Sequence, residues 1–235
     1  MEPLDNPAWY ALRGPQSAVA LGDDVARRFR PDIDPIAALP DEVPAASWEA
    51  LTGLMDVDGP LLLLRAPIDV PEPWSVRFLM GALQMIATQP LPHPSGLTFR
   101  DLTPEDDEEM LALAQATQPG PFALHTRELG DYVGVHEDGR LVAMAGVRMH
   151  LPGYREISAV CTDPEFRGRG LAAALTAEIA ARIQSSGETP FLHVREDNAG
   201  AIRVYERMGF KTRRTLSAIM VRPARSGSPR AEGTS

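Results

Sequence analysis

Apolar and polar positions in the second half of the chain follow two clear periods. Tyr132–His136 and Leu141–His150 read as two strands joined at Glu137-Asp138-Gly139-Arg140, a turn sequence suited to a tight hairpin. Glu156–Thr162 reads as a third strand, stopped by Asp163-Pro164. Ala172, Leu175, Ile179 and Ile183 then recur at helical spacing, which predicts a helix over 169–184 ended by Ser185-Ser186-Gly187. A strand over Phe191–Arg195, a short helix over Asn198–Met208 and a last pair of strands ending near Val221 complete the pattern. Ahead of the hairpin, Leu97–Leu102 reads as a strand. Thr103-Pro104-Glu105-Asp106 then opens a helix, with threonine as cap, proline in the first turn and acids beside them; it closes near Gln118.

The first ninety-odd residues are richer in proline and only weakly periodic. Leu61–Arg65 and Ser75–Leu79 read as strands, and Ser47 is expected to cap a helix running through Trp48, Leu51 and Leu54 to Met55. Gln89-Pro90-Leu91-Pro92-His93-Pro94-Ser95-Gly96 resists both helix and central strand, so a linker is expected there. The expected organisation is a mixed α/β chain. It comprises an N-terminal α/β domain over 1–95 of uncertain fold, a main domain over 97–222 and a disordered tail over 223–235.

Composition narrows the function classes. The chain has 235 residues, 44% of them apolar and 23% charged, as in ordinary soluble proteins. Its longest aliphatic run, Leu61–Leu64, is far short of the ~20 residues needed to span a bilayer, and its acidic, proline-containing start does not resemble a secretory signal. A cytoplasmic location is expected. One cysteine, Cys161, excludes an internal disulfide and a cysteine-rich zinc site, and His125, His136 and His150 lack metal-ligand spacing, so no metal is expected. The net charge of -9 divides into -7 over residues 1–95 and -2 over the remainder. Neither part offers the positive field of a nucleic-acid binder, and an acidic surface favours cationic partners such as amines.

The most informative stretch is Asp163-Pro164-Glu165-Phe166-Arg167-Gly168-Arg169-Gly170-Leu171-Ala172, which leaves a strand, turns through two glycines and enters an Ala-rich helix. Unpaired amides and the positive dipole end of a helix can hold an anion without a lysine, and glycines allow its close approach. The segment lacks the lysine of a P-loop and the three-glycine dinucleotide fingerprint. The plain alternative is a tight strand-to-helix turn with no ligand.

The spacing Arg167-x-x-Gly170-x-Ala172 resembles the R/Q-x-x-G-x-G/A signature of the GNAT superfamily of acyl-CoA-dependent N-acyltransferases. Downstream, Asn198, Ala201, Tyr205, Gly209 and Phe210 resemble the family's N-x-x-A-x-x-x-Y-x-x-x-G-F ending. The likeness covers roughly residues 97–222. Pro121-Phe122, Glu128-Leu129-Gly130 and Glu156–Cys161 are most similar to the branch that includes glycine N-acyltransferase-like proteins.

The resemblance implies a central mixed, splayed sheet flanked by helices. It also implies transfer of an acetyl group from acetyl-CoA to a primary amine of a small molecule or peptide, by direct attack. The pyrophosphate would lie on the amides of Gly168, Arg169, Gly170, Leu171, Ala172 and Ala173, behind Arg167. The pantetheine arm would pair with Val160, Cys161 and Thr162, Asn198 would contact the cofactor, and Tyr205 would protonate the departing thiolate. No membrane or nucleic-acid partner is implied. A CoA-binding regulator without catalysis is the alternative. For residues 1–95 the expectation is a degenerate acyltransferase-like half that helps shape the acceptor site.

Each residue also has a plainer reading. Tyr205 shares helical spacing with Ile202 and Met208 and so suits a core position, and Asn198 suits a helix cap. His193 stands where bacterial protein N-terminal acetyltransferases of the family carry a glutamate base. Its imidazole could accept the amine proton, or simply fill a half-buried strand. Glu156 competes for that role against a solvated strand end. Cys161 has no evident activating neighbour and reads as a small strand residue, and Arg169 as either a phosphate contact or a solvent-exposed side chain.

Overall fold

The computed structural model describes residues 2–55, 59–91 and 97–223. Eleven strands form one mixed sheet. In chain order they are β1 (Ala20–Gly22), β2 (Arg27–Phe29), β3 (Ile36–Ala38), β4 (Leu61–Arg65), β5 (Trp74–Ile86), β6 (Arg100–Asp101), β7 (Tyr132–Glu137), β8 (Arg140–Leu151), β9 (Tyr154–Thr162), β10 (Thr189–Arg195) and β11 (Lys211–Pro223). Five helices accompany them: α1 (Pro7–Arg13), α2 (Ala45–Gly53), α3 (Asp107–Thr117), α4 (Leu171–Ser185) and α5 (Ala199–Met208).

The strand order is β1-β2-β3-β4-β11-β5-β10-β9-β8-β7-β6. Two neighbouring pairs, β3/β4 and β9/β10, are parallel, and each encloses a helix, α2 or α4; the other pairs are antiparallel. Around the central pair β11/β5 the order is palindromic: β4-β3-β2-β1 on one side answers β10-β9-β8-β7 on the other. The last strand of each half has crossed to the other, because β5 pairs with β10 and β11 pairs with β4. The sheet therefore runs without a break across the division expected at 95–97. Residues 92–96 of the expected linker and 224–235 of the expected tail lie outside the described residues.

Several elements differ from expectation. The last pair of strands is one 13-residue strand, β11, which holds register with β5 through two bulges. Leu97–Leu102 contributes only the two-residue β6 at the sheet edge. Ser47 is buried inside α2, whose cap is Pro44. Helix α1 and strands β1 to β3 are absent from the sequence pattern; α1, β2 and β3 are short pieces ordered by tertiary burial, with Trp9, Leu12, Phe29 and Ile36 at 0–3% exposure, and β1 is an exposed edge paired with β2. Other expectations hold. Asp138 and Gly139 both take positive φ, 51° and 80°, in the β7/β8 hairpin, the geometry of a primed turn. Thr103 and Asp106 form a reciprocal capping box before α3, and Gln118 closes that helix in the left-handed conformation.

Alternation along β10 separates the two faces of the sheet. Phe191 joins a core with Trp9 and Leu12 of α1, whereas Leu192 and Val194 join the core under α4 with Leu171, Leu175 and Ile179. His193, between them, faces the α1 side.

Candidate active site

Strands β9 and β10 pair from Tyr154/Thr189 to Ile157/Leu192, and there the ladder stops although both strands continue. Just beyond, β9 carries a bulge: Met144 faces Cys161 and Gly146 faces Ser158, so Ala159 and Val160 together oppose Ala145. Ala159 takes φ 52° to accommodate the extra residue. The two strands thus part at Ser158 and His193. Val160, Cys161 and Thr162, expected to meet the pantetheine arm, lie on the freed end of β9.

At the far end of β9 the chain turns through Pro164–Phe166 into α4. Asp163 Oδ1 accepts the Glu165 N–H at 2.9 Å, and Arg167 Nε donates to the Thr162 carbonyl at 3.3 Å, which fixes the start of the turn. Gly168 and Gly170 adopt φ 79° and 77°, a conformation that disfavours any other residue. The first N–H to bond back along the helix is Ala174, to Gly170. The amides of Leu171, Ala172 and Ala173 ahead of it have no acceptor among the described residues. A Cβ on Gly168 or Gly170 would meet nothing within 4 Å, so the space above them is open. It forms a cleft of about 290 Å³ lined by Thr162, Phe166, Arg167, Gly168, Gly170 to Ala173 and Val204 of α5. Arg169 turns from it to stack on the Phe166 ring at 4.7 Å. The cleft offers amides and a helix dipole to an anion.

Asn198 caps α5, its Oδ1 accepting the Ala201 N–H at 3.1 Å. Tyr205 packs edge-on against Phe210 at 5.9 Å within the core under α4, so the core reading of this residue is met in part. Burial pushes its phenol up to about 12, which keeps it protonated at neutral pH. Burial likewise pushes the Cys161 thiol up to about 11 against weaker opposing contacts with Thr117 and Met144, so it is a poor nucleophile.

The two candidate bases are brought together. His193 Nδ1 lies 2.7 Å from Glu156 Oε1. Glu156 is no solvated strand end: it is 1% exposed and clasped by Arg148, with Nε to Oε2 at 2.9 Å and a second nitrogen to Oε1 at 2.6 Å. Burial alone would raise its carboxyl; the Arg148 charge and then the His193 hydrogen bond outweigh it and hold it at about 2. A carboxylate so placed is a weak base and a strong orienting partner.

The other side of the imidazole is occupied too. Gln84 Nε2 donates to the Leu4 carbonyl at 2.8 Å and lies 3.1 Å from His193 Nε2, while its Oε1 accepts from Arg213 at 3.0 Å. These partners fix the amide orientation, and with it the tautomer: Nδ1 carries the proton toward Glu156 and Nε2 presents its lone pair. The sequence pattern did not single out Gln84 or Arg148. Each is a polar residue flanked by apolar neighbours within its strand, Leu83 and Met85 or Val147 and Met149, and that is the signal that could have found them.

Asp34 of the N-terminal portion extends this buried group. It is 0% exposed, Oδ1 accepts the Ile36 N–H at 2.9 Å, and Oδ2 has no partner among the described residues. Burial pushes its carboxyl up to about 6, against the pull of Arg148. A raised carboxyl contributes most below pH 3.8 and loses that contribution as pH rises through 6. Asp34→Asn is therefore expected to stabilise the protein at pH 7.5 by on the order of 1–3 kcal/mol and to give no gain near pH 4, read from urea midpoints at the two pH values.

His136, which has no metal spacing in sequence, meets Asp106 and Glu109 in space, with ligand atoms within 4.8 Å of one another. The Arg100 guanidinium already bonds Asp106 and His136, placing a fixed positive charge there. Among the described residues no helix is long and apolar enough to cross a membrane.

A parallel strand–helix–strand unit with splayed strands, a bulge at the parting and an open amide turn is the arrangement that the GNAT resemblance implies. Comparison with known proteins agrees. Residues 132–219 match the family model described as FR47-like protein. A GNAT-family protein from Novosphingobium aromaticivorans superposes with a TM-score of 0.88 at 40% identity, over 95% of this chain and 100% of that one. A GCN5-related N-acetyltransferase from Kribbella flavida shares the fold with a TM-score of 0.66 at 18% identity, over 94% and 96% of the two chains. The mycothiol acetyltransferase of Mycobacterium avium is 41% identical over 96 residues, 37% of this chain and 30% of that protein, so the match spans about a third of that relative's length. The chain belongs to the GNAT acetyltransferase family.

Proposed function

We propose that the protein transfers an acetyl group from acetyl-CoA to the primary amine of a small molecule or peptide by direct attack. The observation that carries this reading is the open amide turn of Gly168–Ala173 facing the cleft beside α5. The pyrophosphate rests on those amides and the pantetheine arm follows the freed end of β9, from Val160 to Thr162. The thioester then lies where β9 and β10 part. The amine nitrogen attacks the carbonyl carbon, the C–S bond breaks, and the thiolate takes its proton from the Tyr205 hydroxyl. Asn198, while capping α5, borders the cofactor. The amine's own proton leaves to the His193 imidazole, oriented by Glu156, once Gln84 yields its place at Nε2.

Tyr205→Phe tests the acid directly. Acetyl-CoA affinity by calorimetry is expected to stay within about twofold, and kcat in a free-thiol assay over an amine panel to fall by roughly 10²-fold or more. Unchanged turnover would remove Tyr205 from the chemistry. One observation favours the second reading, a CoA-binding regulator: both nitrogens of His193 and both oxygens of Glu156 are engaged within the protein. Tight acetyl-CoA binding with no turnover of any amine in the panel would establish that reading.

A further inference from the structure

The palindromic strand order sets β3–α2–β4 in the position that β9–α4–β10 holds on the other side of the sheet. In the second half the cleft opens between the strand-to-helix turn and the segment that follows the next strand. The first half opens a larger cavity at the corresponding place, about 840 Å³, between the turn and first part of α2 and the segment Ala66–Trp74 that follows β4. A volume of this size suits a small organic molecule.

Its chemistry is the reverse of the cofactor cleft. The turn reads Leu39-Pro40-Asp41-Glu42-Val43-Pro44, with no glycine and two acids where the other half has Gly168 and Gly170. Trp48 and Trp74, rings 5.4 Å apart and tilted by 56°, wall the cavity with Val43 and Ile68. The exposed charges of the lining are all negative. Arg65 is buried and turned to the backbone, donating to the carbonyls of Leu39, Pro40 and Asp41 at 2.9–3.2 Å. Asp41 is itself held by Asn6 at 2.9 Å and Tyr10 at 2.8 Å. Glu49, Asp69 and Glu72 lie exposed on the lining, with no ion pair among the described residues. An apolar chamber with aromatic walls and three unneutralised carboxylates attracts a positive group and repels phosphate.

We propose that this cavity is a second binding site, independent of acyl transfer, for an organic cation: an amine or quaternary ammonium group carried on an apolar body. The apolar body lies against Trp48, Trp74 and Ile68, and the charge sits toward Glu49, Asp69 and Glu72. The proposal does not rest on the acetyltransferase reading.

Calorimetry on the full chain tests it, with benzyltrimethylammonium as probe and benzenesulfonate and benzyl alcohol as anionic and neutral counterparts. Saturable binding of the cation is expected, at least tenfold tighter than either counterpart. The exposed triple variant Glu49→Gln/Asp69→Asn/Glu72→Gln, shown folded by circular dichroism, is expected to weaken it at least tenfold. Gly170→Glu in the cofactor cleft is expected to leave it unchanged. No saturable binding of the cation, equal binding of the sulfonate, full affinity in the folded triple variant, or loss of binding in Gly170→Glu would each overturn the proposal.

Discussion

Gly170→Glu is expected to abolish acetyl-CoA binding while leaving the protein folded. The new Cβ meets nothing within 4 Å, so the substitution fits sterically. The φ of 77° costs a non-glycine residue about 1–2 kcal/mol, which a domain of this size tolerates. The carboxylate, however, enters the cleft at the first turn of α4, where the proposed function places the pyrophosphate. Charge-assisted hydrogen bonds are worth about 1.5–3 kcal/mol each, and a negative group at their centre opposes the anion as well as blocking it. Loss of two of them raises Kd by ~100-fold or more. Calorimetry with acetyl-CoA, beside a melting curve showing retained fold, reads the result. Wild-type affinity in the folded variant would mean that the turn holds no phosphate.

Glu156→Gln is expected to lower unfolding free energy by about 3–5 kcal/mol, because it leaves the Arg148 charge buried without its counter-charge. Arg148 has 9% side-chain exposure and no other carboxylate bonded to it among the described residues, and Asp34 offers only an indirect attraction. Against a total of about 5–15 kcal/mol the loss is a large fraction. Urea unfolding at pH 7 reads it, and Glu156→Gln/Arg148→Met is expected to recover a substantial part, since neutralising both partners removes the orphaned charge. The pH dependence follows from the depressed carboxyl. Its stabilising contribution is complete above pH 4.5 and is lost as pH falls from 4.5 toward 2, so the wild-type advantage over Glu156→Gln should shrink over that window. A variant as stable as wild type at pH 7 would mean the pair adds nothing.

The same substitution separates two roles for His193. With Glu156 neutral, the imidazole keeps a hydrogen-bond partner but loses the charged carboxylate beside it. If His193 takes the amine proton, the pH profile of kcat/KM shifts together with the loss of stability. A variant with lowered stability and an unchanged profile would confine the pair to structure.

Much of the second half was legible in sequence because its signals are local. The helix of α4 follows from Leu175, Ile179 and Ile183 recurring at helical spacing, and the open turn before it follows from Gly168 and Gly170, which reach positive φ at little cost. The β7/β8 hairpin was legible from Asp138-Gly139, and the α3 start from Thr103 and Asp106, for the same reason: the residues that determine each feature touch one another along the chain.

Other features depend on partners far apart in sequence. Gln84 meets His193 across 109 residues, and Gln16 bridges the carbonyls of Leu129 and Arg148 across 113 and 132. Glu156 looks like a solvated strand-end acid until Arg148, eight residues away on the neighbouring strand, folds onto it. The short strands β1 to β3 have too few residues to show a period; β2 and β3 exist because the sheet and α1 bury them, and β1 is held at the exposed edge by pairing with β2.

The sequence by itself determined the two-glycine turn into α4, the order of elements from β7 to α5 and membership of the GNAT family, since these rest on backbone conformation and short-range spacing. Only the tertiary structure decided that β5 and β11 exchange between the halves, that the two candidate bases form one buried pair, and that the first half encloses an acidic, tryptophan-walled cavity. Those outcomes come from long-range strand pairing and from desolvation, which bring together or bury groups whose positions along the chain carry no mark of their meeting.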